Sequence, residues 1–135
     1  MARAELLNKI AIHEASHAAV YMLAGPQEAQ IIQLRVNDDC GLCRVRFRRP
    51  NPSAIIAGYV GEMRVLEGKD WRPTPEVFGM NLHLQDIADA AALVGLEGLP
   101  MLWGETGVMV DSTWGRIQAI ASALSVAVVL RGDVV

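Results

Sequence analysis

The chain has 135 residues, of which 52% are hydrophobic and 20% are charged, and its formal net charge is −3. This length predicts a single domain over residues 1–135, and the composition excludes an intrinsically disordered chain. The slightly acidic balance gives no overall reason to expect a nucleic-acid partner.

Targeting signals are not expected in this sequence. Glu5, Asn8 and Lys9 interrupt the first apolar stretch, so no signal peptide is predicted. The longest apolar run, residues 119–130, is shorter than the roughly 20 residues that a membrane-spanning helix needs. We therefore expect a cytoplasmic protein without membrane contact, and a buried helix or a subunit contact at the apolar run.

The first predicted element is a helix over residues 3–24. Few helix breakers occur in it, and Gly25-Pro26 supplies a stop signal.

Two alternating segments follow and predict a β-hairpin with one buried side. The residues expected on the buried side are Ile32, Leu34, Val36, Cys43, Val45 and Phe47. The residues expected in the turn are Asn37, Asp38, Asp39 and Gly41. Arg44, Arg46 and Arg48 face the other way. This row can hold a nucleic-acid backbone or keep a strand edge soluble, and the lack of interleaved aromatic side chains favours the second interpretation.

The chain has two cysteines, Cys40 and Cys43, in a C-x-x-C pattern within this hairpin. No second C-x-x-C is present to complete a four-ligand zinc site, and a redox pair normally opens a helix. We expect ordinary reduced thiols.

Three more helices are predicted. The next one has Asn51 as its N-cap, Pro52 at its first position and Gly68 at its end. Residues 69–79 are rich in Pro and Gly and predict a loop, and residues 81–98 resume a helical pattern. A final helix is expected from Asp111 or Ser112 to about Leu130. The predicted fold class is therefore mainly α (α+β), with one small β-hairpin after the first helix.

The first helix carries the motif His13-Glu14-Ala15-Ser16-His17. Residues four apart lie on one face of a helix, so His13 and His17 can bind the same Zn²⁺ ion. Glu14 lies about 100° further round and suits a general base that takes a proton from zinc-bound water. The alternative is a pair of structural histidines that binds no metal.

A catalytic zinc site needs a third protein ligand and leaves one position open. No further histidine follows in the first helix, so the ligand must come from a distant element. The candidates are Glu62, His83, Asp86 and Asp89.

Four elements in order resemble the peptidase domain of FtsH-type ATP-dependent zinc proteases. HEASHA is similar to that family's HEAGHA signature, and a β-hairpin follows in both. The stretch AGYVGE resembles the family's A-G-x-x-A-E helix, and LQDIADA resembles the segment that carries its third zinc ligand. The resemblance covers about residues 5–97.

This resemblance implies a zinc metallopeptidase with His13, His17 and Asp86 as metal ligands and Glu14 as the catalytic base. It also implies a near-site carboxylate at Glu62, for which a solvated helix residue is the alternative. Peptides or unfolded proteins are the expected substrates. Family members form rings, so a homo-oligomer is a further expectation.

The sequence departs from the family in several ways. Ser16 replaces a glycine and Gln85 replaces an asparagine, both next to site residues. No phosphate-binding loop of an AAA+ ATPase is found, so a separate ATPase is a candidate partner. Two other interpretations are a catalytically idle, zinc-stabilised binding module and a helical interaction protein without metal.

Overall fold

A computed structural model of the chain describes residues 3–37 and 40–135. The α-helices in this part of the chain are α1 (Arg3–Leu23), α2 (Pro52–Glu67), α3 (Pro75–Met80), α4 (Gln85–Val94), α5 (Leu99–Ser112) and α6 (Trp114–Ala127). The strands are β1 (Ala29–Val36), β2 (Gly41–Phe47) and β3 (Val129–Arg131). The predicted class, mainly α (α+β), is confirmed.

Helix α1 lies at the centre of the core and packs against α2, α6 and the sheet. Its middle is buried on almost every side, and Ala11, Ala15, Ala18 and Ala19 are fully buried. Because these side chains are short, neighbouring elements can pack closely against α1 on several sides, which suits an alanine-rich helix at the centre of the core. The helix ends before Gly25, whose φ of 90° suits glycine.

Helix α2 begins and ends where the sequence predicts. The Asn51 side chain accepts a hydrogen bond from the Ala54 backbone N–H at 3.1 Å, and Pro52 opens the helix. Gly68 terminates it with a φ of 97°. Gly61 lies directly against Ser16 of α1, where a Cβ atom would clash. This close crossing brings α2 onto the histidine face of α1.

The sheet is antiparallel with the strand order β2-β1-β3, so β2 is an edge strand. The predicted hairpin is confirmed, except that the turn residues Asp38 and Asp39 lie outside the described part of the chain.

The expected side-chain alternation in β1 was wrong at Ile32. The pairing register between β1 and β2 shifts between Ile31 and Gln33, so β1 has one extra residue there. Leu34 and Val36 are buried as expected, but Ile32 is 40% exposed. The bulge reverses the alternation, and Ile31 packs against the core instead. Phe47, also expected on the buried side, is half exposed and stacks on Tyr21.

The helix predicted from Asp111 or Ser112 to about Leu130 is found as α6, but it is shorter at both ends, and the helix before it, α5, was not predicted. Pro100, which follows the helical pattern predicted over residues 81–98 and is compatible with a helix end there, lies in the first turn of α5, where a missing backbone N–H costs nothing. Helix α5 ends at Ser112, α6 ends at Ala127, and Val128 reverses the chain with a φ of 69°. Strand β3 then pairs with β1, with Leu130 opposite Leu34.

The segment before α4 also differs from the prediction. The expected loop over residues 69–79 contains α3, which Thr74 caps by accepting a hydrogen bond from the Val77 N–H. The helical pattern over residues 81–98 divides into α4 and a short 3-10 turn at Leu96–Gly98, because Gly95 adopts a φ of 80°.

Within the described residues, no single helix combines the length and the apolar character required to cross a membrane. In the same described part of the chain, α4 and residues 96–112 meet these criteria when taken together, and the two are bent by 97° relative to each other.

Candidate metal centre

Three side chains from two helices converge at one point. His13 and His17 project from one face of α1, and Asp86 reaches them from the first turn of α4. The Asp86 Oδ2 atom lies 3.3 Å from His13 Nε2 and 3.0 Å from His17 Nε2. The ligand atoms of the three residues all lie within 4.8 Å of one another. This group can hold a metal ion.

Hydrogen bonds behind the two imidazole rings fix their orientation. His17 Nδ1 donates to the Ala54 carbonyl oxygen at 2.7 Å, and His13 Nδ1 donates to Glu62 Oε1 at 3.2 Å. With each Nδ1 acting as a donor, the Nε2 atoms are the ones that face Asp86. Such partners are typical of metal-binding histidines, since they fix the ring and raise its basicity.

A second ion pair supports Glu62. Its other carboxylate oxygen, Oε2, lies 3.6 Å from the Lys9 ammonium, one helical turn before His13. The Glu62 side chain is only 14% exposed, so both of its oxygens are used in contacts with α1. The prediction of a near-site carboxylate fits this geometry better than that of a solvated helix residue.

The pKa values of His13 and Asp86 are shifted by their mutual contacts. Burial by itself lowers the pKa of His13, but hydrogen bonds to Asp86 and Glu62 outweigh burial and raise it to about 9. Burial raises the pKa of Asp86, but hydrogen bonds from His13 and His17 outweigh it and hold the pKa well below the usual range. The close contacts between the imidazoles and Asp86 therefore favour a positive charge on the imidazole side and a negative charge on Asp86.

Two of the three separations between ligand atoms fit a tetrahedral ion. Ligand bonds of about 2.0–2.1 Å at tetrahedral angles put neighbouring ligand atoms about 3.3 Å apart. Asp86 Oδ2 lies at 3.0 and 3.3 Å from the two imidazole nitrogens. Asp86 therefore lies at the distance from each imidazole nitrogen that a shared small divalent cation requires.

Glu14 lies on the same helix as both histidines but is not part of the three-residue group. It is 7% exposed and lines the groove in front of the site. Burial raises its pKa, and the nearby charges of His17 and His13 partly offset this. A carboxylate in this environment holds a proton more readily than one in water, which suits a group that must accept and release protons.

A groove of about 620 Å³ connects this site to the sheet. His13 and Glu14 of α1 and Asp86 of α4 form one side of the groove. Residues 41–45 and Phe47 of β2 form the other side. Since β2 is an edge strand, its outer backbone groups pair with no other strand of the described residues. An extended chain can lie there beside the converging ligands.

The remaining candidates from the sequence lie away from the ligand group. His83 is exposed before α4 and belongs to no metal-binding cluster of the described residues. Asp89 is exposed, lines the groove and accepts a hydrogen bond from Gln85 at 2.7 Å. Cys40 and Cys43 are free thiols, as expected. Cys43 is half buried in β2, and burial raises the pKa of its thiol.

Two glycines shape the site, and motif reasoning did not single them out. A Cβ atom at Gly58 of α2 would lie 2.6 Å from His17 Nε2 and also clash with His13. A Cβ atom at Gly41 would lie 2.6 Å from the Glu14 carboxylate. The motif also did not reveal the contact between Tyr59 and His13. The two rings pack edge-on with their centroids 4.6 Å apart. Only the spacing Gly58-x-x-Gly61 on a predicted helix hinted at a close helix crossing.

Comparison of the sequence with protein-family models and with curated proteins found no match.

Proposed function

We propose that this chain is a zinc metallopeptidase that resembles the peptidase domain of FtsH-type proteases. The observation that carries the proposal is the convergence of Asp86, 73 residues downstream of His13, on the Nε2 atoms of the H-E-x-x-H histidines. Two structural histidines that bind no metal would not be expected to share one carboxylate from a distant helix while hydrogen bonds at both Nδ1 atoms fix their rings.

The donor set supports zinc as the metal. Two imidazole nitrogens and one carboxylate oxygen are typical zinc ligands, whereas Mg²⁺ and Ca²⁺ prefer oxygen ligands alone. Three ligands among the described residues leave one position of a tetrahedron open, which is the pattern of catalytic and not structural sites.

The proposed reaction is hydrolysis of a peptide bond. A zinc ion supplies Lewis acidity, which polarises a scissile carbonyl and lowers the pKa of water to about 7. The Glu14 carboxylate takes one proton from the attacking water and passes it to the amide nitrogen of the leaving group. Its position in the groove, next to both histidines, supports this role.

The substrate that fits the groove is an extended chain. The free edge of β2 can pair with a substrate backbone by β-augmentation, which requires an unfolded segment or a short peptide. Folded substrates would need a separate ATPase to unfold them, and this partner is part of the proposal. We infer a cytoplasmic location, where such partners and reduced thiols occur together.

The test is zinc-dependent cleavage of casein by the purified chain. We expect cleavage with zinc, loss after chelation and recovery after zinc is returned. Glu14→Gln should bind zinc but cleave at least 100-fold more slowly, as expected when a general base is lost. The exposed Glu67 at the end of α2 offers a matched control, because Glu67→Gln should leave cleavage unchanged. Full cleavage by Glu14→Gln would reject the assigned base, and zinc binding without any cleavage would favour the idle binding module.

A further inference from the structure

The outward face of the sheet carries a cluster of exposed arginines. Its members are Arg35 of β1, Arg44 and Arg46 of β2, and Arg131 of β3. We refer to these four residues as the arginine face. The pairing register brings them together, because residues directly opposite each other on neighbouring strands point to the same side of a sheet. Gln33 of β1 lies between Arg44 on one side and Arg131 on the other.

These charges are not neutralised within the described part of the chain. None of the four arginines is within ion-pair distance of a described carboxylate, whereas Arg49 pairs with Glu28 and Arg64 pairs with Asp111. Neighbouring strands lie about 4.8 Å apart and residues two apart on a strand about 6.6–6.8 Å apart, so these guanidinium groups repel one another. In a chain with a net charge of −3, this concentration of positive charge favours an anionic partner.

The arginine face adjoins the groove of the metal centre. Arg44 itself lines that groove together with His13 and Glu14, and Arg46 follows two residues further along the same edge strand. A chain that pairs with β2 would therefore have every second side chain beside Arg44 or Arg46. The side chains between them would point towards Val45 and the stacked rings of Tyr21 and Phe47.

We infer that the preferred substrate is an extended polypeptide segment with acidic side chains at every second position and apolar side chains between them. This inference rests on the proposed function, because it takes the chain paired with β2 as the substrate. A polypeptide fits better than a nucleic acid, since base stacking needs exposed aromatic rings. The register places Gln33, Leu42 and Val129 beside these arginines, and none of the three is aromatic.

Binding to labelled peptides tests this inference without requiring cleavage. The zinc-loaded Glu14→Gln protein would be titrated against three eight-residue peptides with Val at alternate positions and Glu, Ser or Lys at the others. Fluorescence anisotropy should give the tightest binding for the Glu peptide and the weakest for the Lys peptide. Raising the salt concentration should weaken binding of the Glu peptide more than binding of the Ser peptide, because salt screens exposed charges.

Variants of the arginine face test whether these residues cause the preference for the Glu peptide. Arg44→Gln with Arg46→Gln should weaken binding of the Glu peptide about five- to tenfold, the effect of losing two exposed ion pairs. Binding of the Ser peptide should change less than twofold. Arg116 is an exposed arginine on α6 and provides the matched control, so Arg116→Gln should bind all three peptides as the parent does. Circular dichroism confirms that each variant is folded.

Equal affinity for the three peptides would overturn the inference, as would unchanged affinity for the Glu peptide in the double variant. Tighter binding of a single-stranded oligonucleotide than of the Glu peptide would also overturn it and assign the arginine face to a nucleic acid. The proposed function fails separately: arginine-dependent peptide binding without casein cleavage by the parent chain refutes only the hydrolase. Casein cleavage without any preference among the peptides refutes only this inference.

Discussion

Gly58 of α2 lies so close to His17 of α1 that a Cβ atom at position 58 would lie 2.6 Å from the Nε2 atom. The same Cβ atom would clash with His13. The space in front of the two imidazoles therefore exists only because residue 58 has no side chain. Since Nε2 is the atom that faces Asp86, even one methyl group at this position would occupy the ligand side of the site.

Gly58→Ala should abolish metal binding at this site while leaving the fold largely intact. The added methyl group must displace one or both histidine rings, although alanine is the better helix former by about 1 kcal/mol. Isothermal titration with Zn²⁺ measures the loss. Gly104 lies inside α5 with no atom near its added Cβ, so Gly104→Ala should bind zinc normally and stabilise the chain by about 0.5–1 kcal/mol. Normal zinc affinity in Gly58→Ala would contradict the assigned ligand atoms.

Asp86 and Asp89 lie one turn apart on α4 and provide a direct comparison of two candidate ligands. Of these two, Asp86 is the one that contacts the histidines, so Asp86→Ala should lose bound zinc, whereas Asp89→Ala should retain about one equivalent. Metal analysis after gel filtration distinguishes them. The opposite result, with zinc lost only in Asp89→Ala, would mean that the ligand assignment is wrong.

Glu62 should contribute to metal affinity without contacting the metal. It accepts the Nδ1 proton of His13 and is itself held by Lys9, so Glu62→Ala leaves the ring free to rotate. Loss of such a partner typically lowers metal affinity about 10- to 100-fold. Lys9→Met should have a smaller effect in the same direction. Competition with a fluorescent zinc chelator measures both, and Glu67→Ala serves as the control at an exposed site on the same helix. Unchanged zinc affinity in Glu62→Ala would show that this carboxylate does not contribute to metal binding.

Stability should respond to pH in opposite directions with and without zinc. The pKa of His13 rises on folding from 6.5 to about 9, so its protonation stabilises the metal-free chain fully below about pH 6.5. That contribution is lost as the pH rises through about 9. Zinc requires the unprotonated ring, so its stabilising effect should grow over the same range. Thermal unfolding at about pH 6 to 9, with zinc and with chelator, should therefore show a widening difference in Tm. A constant difference would show that zinc does not compete with this proton.

The sequence predicted those parts of the fold that depend on local signals. The N-cap at Asn51, the stop at Gly68 and the hairpin strands are each encoded by a few neighbouring residues, and the structure confirms them. The position of His13 and His17 on one helical face also follows from local periodicity. Pro100 shows the limit of such signals, because the same residue is compatible with the end of one helix and the start of the next.

The parts that sequence reasoning missed depend on contacts between distant residues. The bulge at Ile31–Gln33 is set by pairing with β2 and by the return of β3, which no pattern within β1 reveals. The hydrogen bond from His17 to the Ala54 carbonyl depends on how α2 crosses α1. The choice of Asp86 over Asp89 was available only from a family resemblance, since helical spacing alone leaves both possible.

A zinc ion held by His13, His17 and Asp86 is the claim on which the proposed function depends. Diffraction from crystals grown with zinc, recorded on both sides of the zinc absorption edge, tests it most directly. We predict one strong anomalous peak about 2.0–2.2 Å from both Nε2 atoms and from an Asp86 carboxylate oxygen. An empty site between these three side chains, with zinc bound elsewhere or not at all, would contradict the account.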